Sequence, residues 1–82
     1  MSDFPSRLKE TRKALKVTQK QVARGIGVAE SYYQAYEYGK NEPSISKLMQ
    51  FCRYFNVSAD YLLGLSDEPV VLSKDDSLRS AN

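Results

Sequence analysis

Signals that open and close helices recur at short intervals along this chain, and they confine it to a set of short helices. Pro5 suits the first position of a helix, where its missing N–H would have no partner in any case. Thr18-Gln19-Lys20-Gln21 matches a capping box, in which the Thr18 hydroxyl accepts from an early backbone N–H while Gln21 reaches back. Gly27 closes the helix so begun, because glycine takes up the left-handed conformation of a sharp stop. A third helix is predicted from Glu30 to Tyr38. Ala29 is a poor cap for it, but Glu30 and Ser31 supply a negative charge and a small polar residue at its start, and Gly39 is its natural end. Lys40-Asn41-Glu42-Pro43 follows as a polar loop. Ser44 caps a fourth helix that Asn56 ends, and Ser58 with Asp60 opens a brief fifth, containing Tyr61, Leu62 and Leu63, that Gly64 terminates. No strand-like alternation precedes residue 66.

Apolar spacing says which sides of these helices are expected to turn inward. Phe4, Leu8, Thr11 and Leu15 recur at helical intervals in the first helix, and Val22, Ala23 and Ile26 line the second. Tyr33 and Tyr36 point the same way in the third. Ile45, Leu48, Cys52 and Phe55 form the expected buried stripe of the fourth, with Met49 and Phe51 flanking it. Past Leu65 the composition changes: the last 17 residues hold four serines, four acidic residues and one apolar triplet, Val70-Val71-Leu72. The chain therefore divides into one domain over 1–65 and a polar, acidic tail over 66–82. Three readings of the tail stand: a flexible segment, a triplet that adds as a strand to a partner, or a linker to a further domain.

Several function classes are excluded by what is missing. The chain has one cysteine and no histidine, so neither a disulfide nor a metal site can be assembled, and no catalytic residue or cofactor is called for. No phosphate-cradling glycine loop or paired-carboxylate cleft is found, and 82 residues leave little room for a small-molecule substrate pocket. No run approaches the ~18 apolar residues of a membrane span, and the first residues lack the apolar core of a signal peptide, so a cytoplasmic protein without membrane association is expected. Charge is more telling. Net charge is only +2, yet residues 7–24 carry Arg7, Lys9, Arg12, Lys13, Lys16, Lys20 and Arg24 against Glu10 alone, while 66–82 is net negative. A basic stretch of this kind suits a polyanionic partner met by one face, although a solvated helix surface would read the same way.

Two short helices over 18–27 and 29–38, joined by a glycine-containing turn, make a helix-turn-helix unit. Such a unit needs a small residue where the helices cross, met by Ala23, and a glycine where the chain reverses, met by Gly27. Val22, Ile26, Val28, Tyr33 and Tyr36 would anchor it. The second of the pair is then left projecting, with its leading residues free to enter a major groove.

Val17-Thr18-Gln19, Val22-Ala23, Gly27-Val28, Tyr36-Glu37-Tyr38-Gly39-Lys40 and Glu42-Pro43-Ser44 resemble the Cro and phage-repressor type of helix-turn-helix domain, the XRE family. Phe55-Asn56-Val57-Ser58-Ala59-Asp60-Tyr61-Leu62-Leu63-Gly64 is similar to that family's fifth-helix ending. The resemblance runs from about Arg7 to Leu65. It implies an all-α, compact five-helix lambda-repressor-like DNA-binding domain with the helix-turn-helix at helices 2 and 3. It also implies a transcriptional regulator, expected to repress, that reads a double-stranded DNA operator as a homodimer.

Residue by residue, the resemblance places Thr18 and Gln19 at the start of the second helix, with Gln19 bridging the DNA backbone and the recognition helix. Glu30, Ser31, Tyr32 and Ala35 match positions that touch base edges, and Gln34 lies beside them. Glu30 has a second reading as a charge favourable to the helix dipole, and exposed Tyr32 could stack or bond a phosphate. Lys40, with the backbone around Gly39 and Asn41, resembles a phosphate-gripping loop. Arg12 and Glu37 match a structural salt bridge between the first and third helices. Tyr54, Tyr61 and Leu65 are the expected dimer surface. The chain departs from the family in having no Lys or Arg between Ala29 and Gly39, so attraction to DNA would come from the first two helices and Lys40, with strong salt dependence. A rival reading makes the unit a protein-interaction module whose Tyr32, Tyr33, Tyr36 and Tyr38 dock a partner regulator.

Overall fold

Five helices, and no strand, make up the part of the chain that the computed structural model describes, residues 3–69. They are α1 (Phe4–Ala14), α2 (Gln19–Ile26), α3 (Glu30–Glu37), α4 (Ile45–Phe55) and α5 (Ala59–Leu62). The tail reading that depends on Val70-Val71-Leu72 lies outside the described residues. No helix among those described is long and apolar enough to cross a membrane.

Local capping chemistry explains where the helices begin. At α2 the capping box is complete: Thr18 Oγ1 accepts from Gln21 N–H at 3.0 Å, and Gln21 Oε1 accepts from Thr18 N–H at 2.8 Å. Ser44 and Ser58 cap α4 and α5 by accepting from Lys47 N–H and Tyr61 N–H, each at 3.1 Å. The start of α3 has no side-chain cap, as Ala29 dictates. All five helices end in one device, a left-handed residue that turns the next N–H back to the carbonyl five positions earlier; after α4 the residue is Asn56, and Val57 N–H donates to Cys52 O at 3.1 Å. Lys40 N–H donates to Ala35 O after α3, Val28 N–H to Ala23 O after α2, Leu65 N–H to Asp60 O after α5, and Val17 N–H to Arg12 O after α1.

After α1 the left-handed residue is Lys16, with φ 61°. A Cβ in that conformation costs roughly 1–2 kcal/mol, part of which glycine would return as extra freedom in the unfolded chain. Lys16→Gly is therefore expected to stabilise the domain by about 0.5–1 kcal/mol, read as a higher urea midpoint. An unchanged or lower midpoint would show that Lys16 carries no strain.

α1 packs on α3 and α5, and α4 packs on α2 and α5, which surrounds Phe51 on every side. Its ring meets Phe4 at 5.9 Å, Tyr33 at 5.9 Å, Tyr36 at 5.4 Å and Phe55 at 6.5 Å between centroids. Leu8, Val22, Ala23, Ile26, Val57 and Leu62 complete the core. Two expectations about burial are corrected here. Ile45 is 79% exposed and Phe51 is fully buried, so the inward stripe of α4 is Leu48, Phe51, Cys52 and Phe55. Leu15 is not an inward residue of α1 but its half-exposed C-cap. In both cases the last or first residue of a helix overhangs the neighbours it would need to pack against.

Gly25, absent from the sequence reading, lets α2 approach α4. A Cβ there would lie 2.4 Å from Tyr54 Cε1, so only a bare α-carbon fits under the ring as it stands.

Candidate nucleic-acid interface

One face of α3 is locked and the other is open. Tyr33, Tyr36 and Glu37 are buried, whereas Glu30, Ser31, Tyr32 and Tyr38 are exposed and Gln34 and Ala35 are half-buried. Ser31, Ala35 and Tyr38 succeed one another at helical spacing along the outward side. Tyr38, 61% exposed, is absent from the DNA-contact residues expected from the sequence, where it figures only in the partner-docking reading, although that spacing is readable there. Tyr32 leans edge-on against Tyr36, with centroids 5.5 Å apart, so half of its ring is covered by its own helix.

Glu37 anchors α3 from beneath. Its Oε2 accepts from Arg12 Nε at 2.6 Å and from the Tyr33 hydroxyl, and its Oε1 accepts from Gln19 Nε2 at 3.0 Å and Arg12 Nη2 at 3.3 Å. Arg12 also donates to Val17 O at 3.1 Å, which ties the end of α1 into the same cluster. Burial pushes the Glu37 carboxyl up, but hydrogen bonds from Arg12, Tyr33 and Gln19 outweigh it and hold the group below its ordinary value. The Tyr33 hydroxyl is driven far above the usual phenol range, by burial first and by the bond to Glu37 second. The cluster is thus a fixed pairing of ions, not a proton-transfer device.

Gln19 extends this cluster to the surface. Its Oε1 accepts from Gln34 Nε2 at 3.0 Å, so α2 and α3 are joined by paired amides at the edge of the open face. Thr18 stands exposed beside them, its oxygen used in the cap and its hydroxyl proton not needed there.

Lys40 and Asn41 sit beyond the far end of α3. The N–H groups of Gly39, Lys40 and Asn41 donate to Tyr36 O at 3.3 Å and to Ala35 O at 2.9 and 3.3 Å. These donors are thus engaged within the chain in closing the helix, and the side chain of Lys40 is the exposed positive charge of the loop.

The basic stretch is smaller than its composition implied. Arg7 is turned inward, donating to Tyr61 O at 2.9 Å, Ser66 O at 2.8 Å and Asp67 Oδ1 at 2.6 Å, with its guanidinium 4.4 Å from the Tyr61 ring centroid. Arg12 is held by Glu37. Lys9, Lys13, Lys16, Lys20 and Arg24 remain exposed on α1, its C-terminal turn and α2. Of the residues expected at a dimer surface, Leu65 is 74% exposed, Tyr54 is 37% exposed over Gly25, and Tyr61 is half-covered by Arg7. No group of three or more possible metal ligands occurs among the described residues, and burial raises the Cys52 thiol away from the reactive range.

The helix-turn-helix family model matches residues 8–62, spanning all of α2 to α5 and most of α1. The chain belongs to this family of transcriptional regulators. It is 46% identical over 66 residues to the uncharacterized HTH-type transcriptional regulator YobD of Bacillus subtilis (strain 168), covering 80% of this chain and 59% of YobD. It thus spans about three-fifths of that relative's length. Among solved structures it is similar to the P22 c2 repressor protein in complex with synthetic operator 9T, with TM-score 0.72 and 27% identity over 77% of this chain and 96% of the repressor's. The N-terminal DNA-binding domain of SinR from Bacillus subtilis superposes with TM-score 0.68 at 31% identity, over 74% of this chain and 90% of that domain. These relatives are regulators, not enzymes, and their helical architecture is the lambda-repressor-like one of α1 to α5.

Proposed function

We propose that this chain is a sequence-specific repressor that inserts the leading end of α3 into the major groove of an operator. The observation that carries the reading is the split character of α3: Tyr33, Tyr36 and Glu37 are buried while Ser31, Tyr32, Gln34, Ala35 and Tyr38 face away from the core beside the capped start of α2. Ser31 would bond a base edge, Ala35 would offer a methyl to thymine, and Glu30 would accept from cytosine N4. Thr18, Lys20 and Lys40 would meet phosphates on either side. One such domain makes few contacts, so the chain acts as a homodimer on half-sites about 34–36 Å apart, with Leu65, Tyr54 and Tyr61 at the contact. Residues 1–65 form the reading domain.

A gel shift with DNA from upstream of the protein's own gene is expected to show a specific complex, and Gln19→Ala with Ser31→Ala is expected to abolish it without altering the melting curve by more than a few degrees. Binding that survives both changes refutes the assignment to α3. Salt separates this from partner docking through tyrosine, a reading kept alive by the exposure of Tyr32 and Tyr38 but weakened by the burial of Tyr33 and Tyr36. DNA affinity should fall steeply with added salt, by about 0.9 in log–log slope for each phosphate neutralised, and Lys20→Ala should reduce that slope by about 1.

A further inference from the structure

A carboxylate only accepts hydrogen bonds, whereas a glutamine amide has one accepting and one donating end. These two facts orient the side chains that join α2 to α3. The Glu37 side chain is 1% accessible and, held below its ordinary pKa, is ionised at neutral pH. The Gln19 atom 3.0 Å from Glu37 Oε1 must then be the donor, Nε2. That turns Gln19 Oε1 toward Gln34, which must answer with its own Nε2, again at 3.0 Å. Gln34 keeps its Oε1 and the second N–H of Nε2, and Oε1 has no hydrogen-bond partner among the described residues. Reversing Gln34 would set its oxygen against Gln19 Oε1. Reversing Gln19 as well would set an oxygen against the buried Glu37 charge. The polarity is therefore locked from below.

We infer that Glu37, acting through Gln19, fixes the amide of Gln34 with its carbonyl oxygen outward, so that Gln34 selects adenine at one position of each half-site. Adenine presents an N6 donor and the N7 acceptor in the major groove, which match an amide oxygen and an N–H taken together. Guanine presents two acceptors, O6 and N7, and would confront the amide oxygen with O6. Gln34 would be the residue that touches the base, and Gln19 and Glu37 are positioning residues. The inference rests on the docking of α3 proposed above.

Selection of bound fragments from random-sequence DNA with the full chain tests it. One position of the enriched half-site is expected to favour adenine over guanine by about tenfold or more. Gln34→Ala should erase the preference at that position and leave the others. Gln19→Ala, which cuts the relay at a half-buried surface position, should weaken binding and also shrink the adenine preference there to about threefold or less, with the remaining positions unchanged. A merely structural Gln19 would lower affinity without moving one column of the profile. If no fragment is enriched, the DNA-reading proposal fails and this inference with it. If fragments are enriched but the position sensitive to Gln34 favours guanine or nothing, or if Gln19→Ala leaves the adenine preference intact, this inference alone is overturned.

Discussion

Arg12→Ala is expected to destabilise the domain by about 3–5 kcal/mol, because it leaves the Glu37 carboxylate buried without its counter-ion. A domain of this length has a total stability on the order of 4–12 kcal/mol, so the loss removes a large part of it. Thermal melting should fall by at least about 12 °C. Changing Arg12→Met and Glu37→Leu together should recover part of the loss, since no charge is then left unpaired, although the Tyr33 hydroxyl and Gln19 lose an acceptor. A drop below about 1 kcal/mol for Arg12→Ala would mean that the pair is solvated in solution. Acid probes the same cluster. The folded-state pKa of Glu37 lies below the ordinary 4.5 of the unfolded chain, so the unfolded chain binds the proton more readily. The stabilisation is fully present above that value and is lost as pH falls through the lower folded-state value. Glu37→Gln should accordingly be less stable near neutrality and show a flatter acid limb in denaturant melts.

Phe51→Ala is the second change expected to be severe. The side chain is fully buried among Phe4, Tyr33, Tyr36 and Phe55, rings contributed by α1, α3 and α4. Removing a buried phenylalanine typically costs 3–5 kcal/mol in transfer and cavity terms, and edge-to-face partners add roughly 0.5–1.5 kcal/mol each. Urea denaturation should place Phe51→Ala at or beyond the limit of a folded state. Phe51→Leu, which keeps most of the volume, should lose far less. Ile45→Ala is the contrast, within about 0.5 kcal/mol of the parent, because that side chain lies largely in solvent. A ranking in which Ile45→Ala exceeds Phe51→Ala would contradict the packing of α4.

α3 thus has two supports of different kinds. Phe51 holds it by contact area, which any apolar surface of the right shape could provide. Glu37 holds it by directed bonds, and these also reach the surface through Gln19 and Gln34. The first explains why the helix stays in place, and the second explains why its polar face has a definite orientation.

Helix limits were legible before any coordinates, because caps and stops act within a few residues of chain. Thr18, Ser44 and Ser58 accept from the N–H three positions on, and Gly27, Gly39 and Asn56 turn left-handed where helices end. The helix-turn-helix followed from motif spacing, and the pairing of position 12 with position 37 was what the family resemblance implied. What spacing does not encode is the angle at which one helix meets the next, and that angle settles which side chains are covered. It put Phe51 at the centre and Ile45 in solvent, drew Arg7 inward to Ser66 and Asp67, and brought Tyr54 over Gly25. The direction of the Gln34 amide belongs to the same class: it follows from a buried charge reached through two other side chains, an arrangement that exists only once α1, α2 and α3 are packed together.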